Sequence, residues 1–150
     1  HYKNKDELIA AIAAQAMQAF NQRLEEAVAL HPGDPGEQLR EMGLAYIVFF
    51  MENPEYQRLL FFSDIDLKLW LAEKMGVCTD RKQGGHPLAT LYDAVARFRE
   101  LRPDMDMGQE ELVLFCWAFV HGIAMLIATG ELPGDANTLA LAERIIRSKI

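Results

Sequence analysis

The side chains able to do covalent or metal chemistry are few and scattered. The 150-residue chain holds four histidines (His1, His31, His86 and His121), two cysteines (Cys78 and Cys116) and two serines (Ser63 and Ser148). No histidine has a second His or a Glu at ligand spacing on its own segment, which a metal-binding helix requires. There is no phosphate-cradling Gly-rich loop, no dinucleotide fingerprint and no G-x-S-x-G nucleophile turn. Cys116 and His121 stand five positions apart, so on a helix they point to different sides and the imidazole is poorly placed as a base for the thiol. With no catalytic constellation, the sequence predicts a protein that is not an enzyme and carries no metal and no cofactor.

What remains is binding chemistry. Ligand pockets are mostly apolar and aromatic with a few placed polar groups. Met42, Tyr46, Phe50, Phe62, Trp70, Tyr92, Phe98, Trp117 and His121 supply that mixture. The competing reading is plain core, because a stripe at helical spacing is the ordinary mark of packing and each large buried side chain contributes about 1.5–3 kcal/mol to folding. His121 is the sharpest candidate. An imidazole in apolar surroundings needs hydrogen-bond partners. It could present one nitrogen to a ligand, or pair with Tyr46 or a backbone carbonyl. Trp117 lies four positions earlier on the same face, and its indole N–H also needs an acceptor.

These two residues sit in the stretch that organises the chain, Leu112 to Ala128, which has no formal charge. A helix apolar on every side must be covered all round. One face meets the domain's own core; the other is expected to meet a second copy of the chain. A membrane is the alternative cover. It is set aside because the run is slightly short for a span and carries His and Gly in its middle. Ala118 and Gly122 form a small-x-x-x-small pair that lets another helix approach. Glycine inside a helix costs about 1 kcal/mol relative to Ala, which close packing would explain. Leu126, Ile145, Ile146 and Ile150 are the further interface candidates.

The bulk properties set limits. A 51% hydrophobic, 25% charged chain of this length fits one globular domain with a real core. A formal charge of -7 argues against nucleic-acid binding by these residues alone. The Arg97, Arg99 and Arg102 cluster reads as a solvated helix edge. Two distant cysteines with no C-x-x-C spacing fit a reducing, cytoplasmic setting. The opening HYKNKDELI has no apolar signal-peptide core and no initiator Met, so the chain reads as cut from something longer.

Six helices can be placed by their boundaries. Asn4 with Glu7 forms a capping box ahead of a stripe at Leu8, Ile12, Ala16, Phe20 and Leu24, and His31-Pro32-Gly33 stops that helix near Leu30. Asp34 caps a second helix, with Pro35 at its first position and Leu39, Met42, Gly43, Tyr46, Phe49 and Phe50 facing inward. Asn53-Pro54 restarts the chain as a short helix through Phe61. Pro87 to Leu101 carries Leu88, Leu91, Tyr92, Val95 and Phe98 in register. The central helix spans roughly Gln109 to Thr129, ended by Gly130 and Pro133. Asp135 caps the last helix, to Ile150, striped by Leu139, Ala142, Ile145, Ile146 and Lys149 or Ile150. Between the third and fourth, Ile65 to Met75 reads as a short helix and Gly76 to Gly85 as a polar loop. Nothing alternates like a strand. The expected fold class is all-α, with about six to seven helices.

Two places resemble a known family. His1-Tyr2-Lys3-Asn4-Lys5-Asp6-Glu7-Leu8-Ile9 is similar to the junction after the recognition helix of TetR-type bacterial transcription regulators. Trp117-Ala-Phe-Val-His121-Gly122 matches the Trp-x-x-x-His-Gly signature of one class of TetR C-terminal domain. Gly43-Leu44-Ala45-Tyr46, Glu52-Asn53-Pro54-Glu55 and Leu59-Leu60-Phe61 also resemble that class. The resemblance implies that residues 1–3 are the remnant of a helix-turn-helix head and residues 4–150 a C-terminal ligand-binding and dimerisation domain. It implies a TetR-like bundle that dimerises through its last two helices. A small apolar or aromatic effector would reset the spacing of the DNA-reading heads. DNA would be contacted only through the missing N-terminal domain. The alternative from the residues alone is a helical homodimeric scaffold with no small-molecule ligand.

Overall fold

The computed structural model describes residues 4–62 and 86–150. Among these residues there are six α-helices and no strand: α1 Lys5–Ala29, α2 Pro35–Glu52, α3 Pro54–Phe62, α4 Pro87–Leu101, α5 Gln109–Ala128 and α6 Ala136–Lys149. The expected elements at Ile65–Met75 and Gly76–Gly85, the candidate residue Trp70, and the proposed head remnant at residues 1–3 lie outside the described residues.

Local chemistry sets the helix ends. The Asn4 carboxamide oxygen accepts from the Glu7 N–H at 2.9 Å, the Asp34 carboxylate from Glu37 N–H at 3.1 Å, and the Asp135 carboxylate from Thr138 N–H at 3.0 Å. Each satisfies a backbone donor that the helix itself leaves unpaired. His86 does the same for α4: its Nδ1 accepts from Leu88 N–H at 3.1 Å, with Pro87 at the first helical position. The chain leaves α5 through Gly130, whose φ of +85° favours glycine.

Helix α2 is the axis of the bundle. Ile47, Phe50, Phe49, Met42, Leu39 and Tyr46 are all buried along it, and it packs against every other described helix. Gly43 is the closest approach. A Cβ built there would lie 3.1 Å from Ile146 Cδ1 of α6 and 3.4 Å from Val120 Cγ1 of α5. The missing side chain lets three helices meet at one level. At one end, Arg147 of α6 reaches Glu37 of α2 at 3.0 Å. Further along, the buried Gln57 of α3 donates to the Ala124 carbonyl of α5 at 2.9 Å. That buried bond would be costly to break, since an unpaired carboxamide in the core loses its solvation without replacement.

Three sequence expectations are corrected. The inward face of α1 differs from the expected stripe at its start: Ala16, Phe20 and Leu24 are buried as expected, but the first turns point Ala10 and Ala13 inward and leave Leu8 and Ile12 exposed beside them. Arg97 and Arg99 are not merely a solvated edge. Arg97 donates to the Gln38 carboxamide oxygen, and Arg99 Nη1 to the carbonyls of Met105 and Met107, tying α4 to α2 and to the turn before α5. Only Arg102 behaves as expected, on an exposed pair with Asp104. The length argument against a membrane span also fails. As a 20-residue helix, α5 is long and apolar enough to cross one by length and composition. Its cross-helix bonds to α2 and α3 instead give one of its sides a protein neighbour.

Candidate functional site

A cavity of about 420 Å³ lies inside the bundle, bordered by residues of all six described helices. That volume falls in the range of small-molecule sites. Its walls are overwhelmingly apolar.

Five aromatic rings from four helices form a closed circuit at this cavity. Phe20 of α1 meets Tyr46 of α2 edge-on, centroids 5.1 Å apart; Tyr46 meets His121 of α5 at 6.4 Å; His121 meets Phe61 of α3 at 4.5 Å. Phe61 meets Phe50 of α2 at 4.7 Å, and Phe50 returns to Phe20 at 5.0 Å. Edge-to-face and tilted pairs of this kind add about 0.5–1.5 kcal/mol each beyond area burial. The circuit is thus both a packed unit and a wall.

Within it runs a polar relay. The Tyr46 hydroxyl lies 2.9 Å from His121 Nδ1. The Trp117 indole N–H, a donor only, is directed at the Tyr46 oxygen. Burial drives the Tyr46 pKa well above the usual phenol value, and the Trp117 bond opposes this only in part. The phenol stays neutral throughout the physiological range. Burial also pushes the Cys116 thiol up to about 11, so it rests protonated beside the cavity, the opposite of an activated nucleophile.

The candidate residues divide on inspection. Met42, Tyr46, Phe50, Trp117 and His121 all border the cavity. Phe98 is buried in the core away from it, because its position on α4 turns it toward the start of α2. Tyr92 borders a separate polar hollow at the start of α5. Phe62 is 54% exposed and, unlike its neighbour Phe61, does not line the cavity. Sequence reasoning missed Phe20 and Leu24, taken only as core stripe, and also Phe61 and His86. For Phe61 a signal existed: Gln57 and Phe61 share a face at helical spacing, and both turn inward.

The interface candidates divide too. Ile146 is 6% exposed on the protomer, where it packs against Gly43 of α2. Ile145 and Ile150 are half-buried and border the cavity. Ala118 and Leu126 are exposed, and the space over Gly122 is open. Leu114 belongs with them at 63% exposed, and Phe115, Trp117 and Leu141 are also uncovered. Leu114, Ala118, Gly122 and Leu126 recur every four residues, so stepping back once from Ala118 would have found Leu114.

A family model described as tetracyclin repressor-like, C-terminal domain, matches residues 39–148. The match takes in the cavity-lining residues from Leu39 to Ile146 and all of α5; it includes neither the opening junction nor Lys149 and Ile150. No curated protein and no solved structure gives a significant match.

Proposed function

From the premise that this chain belongs to the family of tetracyclin repressor-like C-terminal domains, we propose that it is the effector-sensing and homodimerising part of a transcription regulator. Its ligand is a small, largely apolar or aromatic molecule held in the cavity between α2 and α5. One observation carries the reading: α5 walls the cavity with Cys116, Val120 and His121 and leaves Leu114, Ala118 and Leu126 bare on another side. An exposed apolar patch of this kind is characteristic of an interaction surface. A second copy meeting it through α5 and α6 would couple cavity and partner through a single helix.

The mechanism follows from linkage. An effector that binds one arrangement of the two protomers better than the other shifts the population toward it. Trp117 stands where the two surfaces meet, bordering the cavity and 44% exposed on the protomer. A ligand that disturbs its bond to Tyr46 would be felt directly at the interface. DNA contact is assigned to a separate head, since the net charge of -7 gives this chain no affinity for phosphates overall.

A thermal-shift screen of small apolar and aromatic compounds tests the reading. A ligand that binds only the folded state raises the Tm with concentration. The rise should vanish in Cys116→Phe, which adds bulk at a half-buried position on the cavity wall, while the Tm of the unliganded variant reports that it still folds. A dimer in sedimentation with no hit across the screen would favour a helical scaffold instead.

A further inference from the structure

The cavity has a charge asymmetry that bears on the chemistry of its ligand. Among its described lining residues one side chain is formally charged, Lys149 on the last turn of α6, and no side chain is a carboxylate. Lys149 makes no ion pair with a described residue. The neighbouring cations are engaged: Arg40 and Arg147 both bind Glu37, at 2.5 Å and 3.0 Å, and Arg147 also binds Glu143 at 3.0 Å. On a chain of formal charge -7, an anion is held only where a cation is locally unopposed.

The position of Lys149 gives the cavity a direction. Helix α6 runs antiparallel to α2: Gly134, just before α6, lies by Met51 at the end of α2, while Ile146 meets Gly43 and Arg147 meets Glu37 toward its start. Lys149 therefore stands near the start of α2, while Phe50 and Phe61 stand near its end. The cavity is apolar and aromatic at one end and cationic at the other.

Resting on the proposed effector-binding role, we infer that the ligand is an amphipathic acid: an apolar or aryl body against Phe20, Phe50 and Phe61, and a carboxylate at Lys149. A neutral apolar molecule would fill the same walls but leave the ammonium without its anion. A cation would meet like charge at the rim.

A matched pair of probes tests this, 4-phenylbutyrate and 4-phenyl-1-butanol, which differ only in the head group. Binding of each to the full chain is measured by calorimetry at low and at high salt. The acid should bind about three- to tenfold more tightly than the alcohol, the preference expected of a partly exposed charge-assisted contact, and salt should shrink it. In Lys149→Gln the two should bind alike, with alcohol affinity unchanged. Lys149 is exposed, so the variant should fold as the parent does, and its Tm checks this. Equal binding of both probes to the parent chain, or an acid preference that survives Lys149→Gln, overturns the head-group assignment while leaving the cavity reading intact. Failure of both probes to bind overturns the two together.

Discussion

The hydroxyl of Tyr46 and Nδ1 of His121 lie 2.9 Å apart, although 75 residues separate them in the chain. With Trp117 they form a relay in which each polar atom answers another inside an apolar wall. Tyr46→Phe keeps the ring and its packing but removes the atom that both neighbours use. It is expected to cost about 1–3 kcal/mol in urea unfolding, the penalty of stranding buried polar groups. A double-mutant cycle with His121→Phe should give a coupling of at least about 0.5 kcal/mol. Additive effects would mean that the relay is not an energetic unit.

Leu126 and Ile146 are expected to respond in opposite ways, although the sequence ranked them together as interface residues. Leu126→Glu places a charge on an exposed apolar face. Sedimentation should show monomers, with the helical circular dichroism unchanged. Ile146→Ala opens a void beneath Gly43 within one protomer. It should cost about 2–5 kcal/mol of stability, as large-to-small core changes do. A Leu126→Glu chain that stays dimeric would rule out this face as the contact between copies.

His86 makes stability depend on pH. Burial holds its pKa below the usual 6.5, and protonation would also remove the acceptor that caps α4. In the unfolded chain the same imidazole titrates at its ordinary value. As pH falls through about 6.5, the unfolded state takes the proton first and stability declines; above that range this group contributes no slope. His86→Asn retains a capping side chain without the titration. The stability difference between parent and variant should be flat above pH 7 and shift against the parent below pH 6.5. A difference curve flat throughout would dismiss the effect.

Cys116 should be a poor nucleophile in the folded chain. With its thiol pKa pushed up to about 11 by burial, the thiolate fraction at neutral pH is small. In a Cys78→Ser background, iodoacetamide labelling should be slow in buffer and fast in urea. A ligand that fills the cavity should slow it further, since Cys116 borders that space. Rapid labelling of the native chain would contradict the burial of the thiol.

Much of the architecture was written locally. Asn4, Asp34 and Asp135 cap their helices through bonds that span three residues, so helix starts were legible from neighbours in the chain. The inward face of α2 followed from apolar spacing alone, as did the all-helical class. The order of these elements and the Trp117-to-Gly122 signature sufficed to indicate the family that the match over residues 39–148 shows.

Packing alone decided which side of α5 turned inward. A helix apolar all round has no periodicity to orient it, so the sequence could not separate the cavity wall at Val120 and His121 from the bare lane at Leu114 and Leu126. The same limit hid the packing of Ile146 against Gly43, which lies on another helix, and left Lys149 as one residue of a stripe instead of the cation at a cavity rim. Caps and stripes depend on residues three or four apart, which a chain displays directly. A cavity depends on side chains brought together from six helices, and only their three-dimensional arrangement determines which of them share a space.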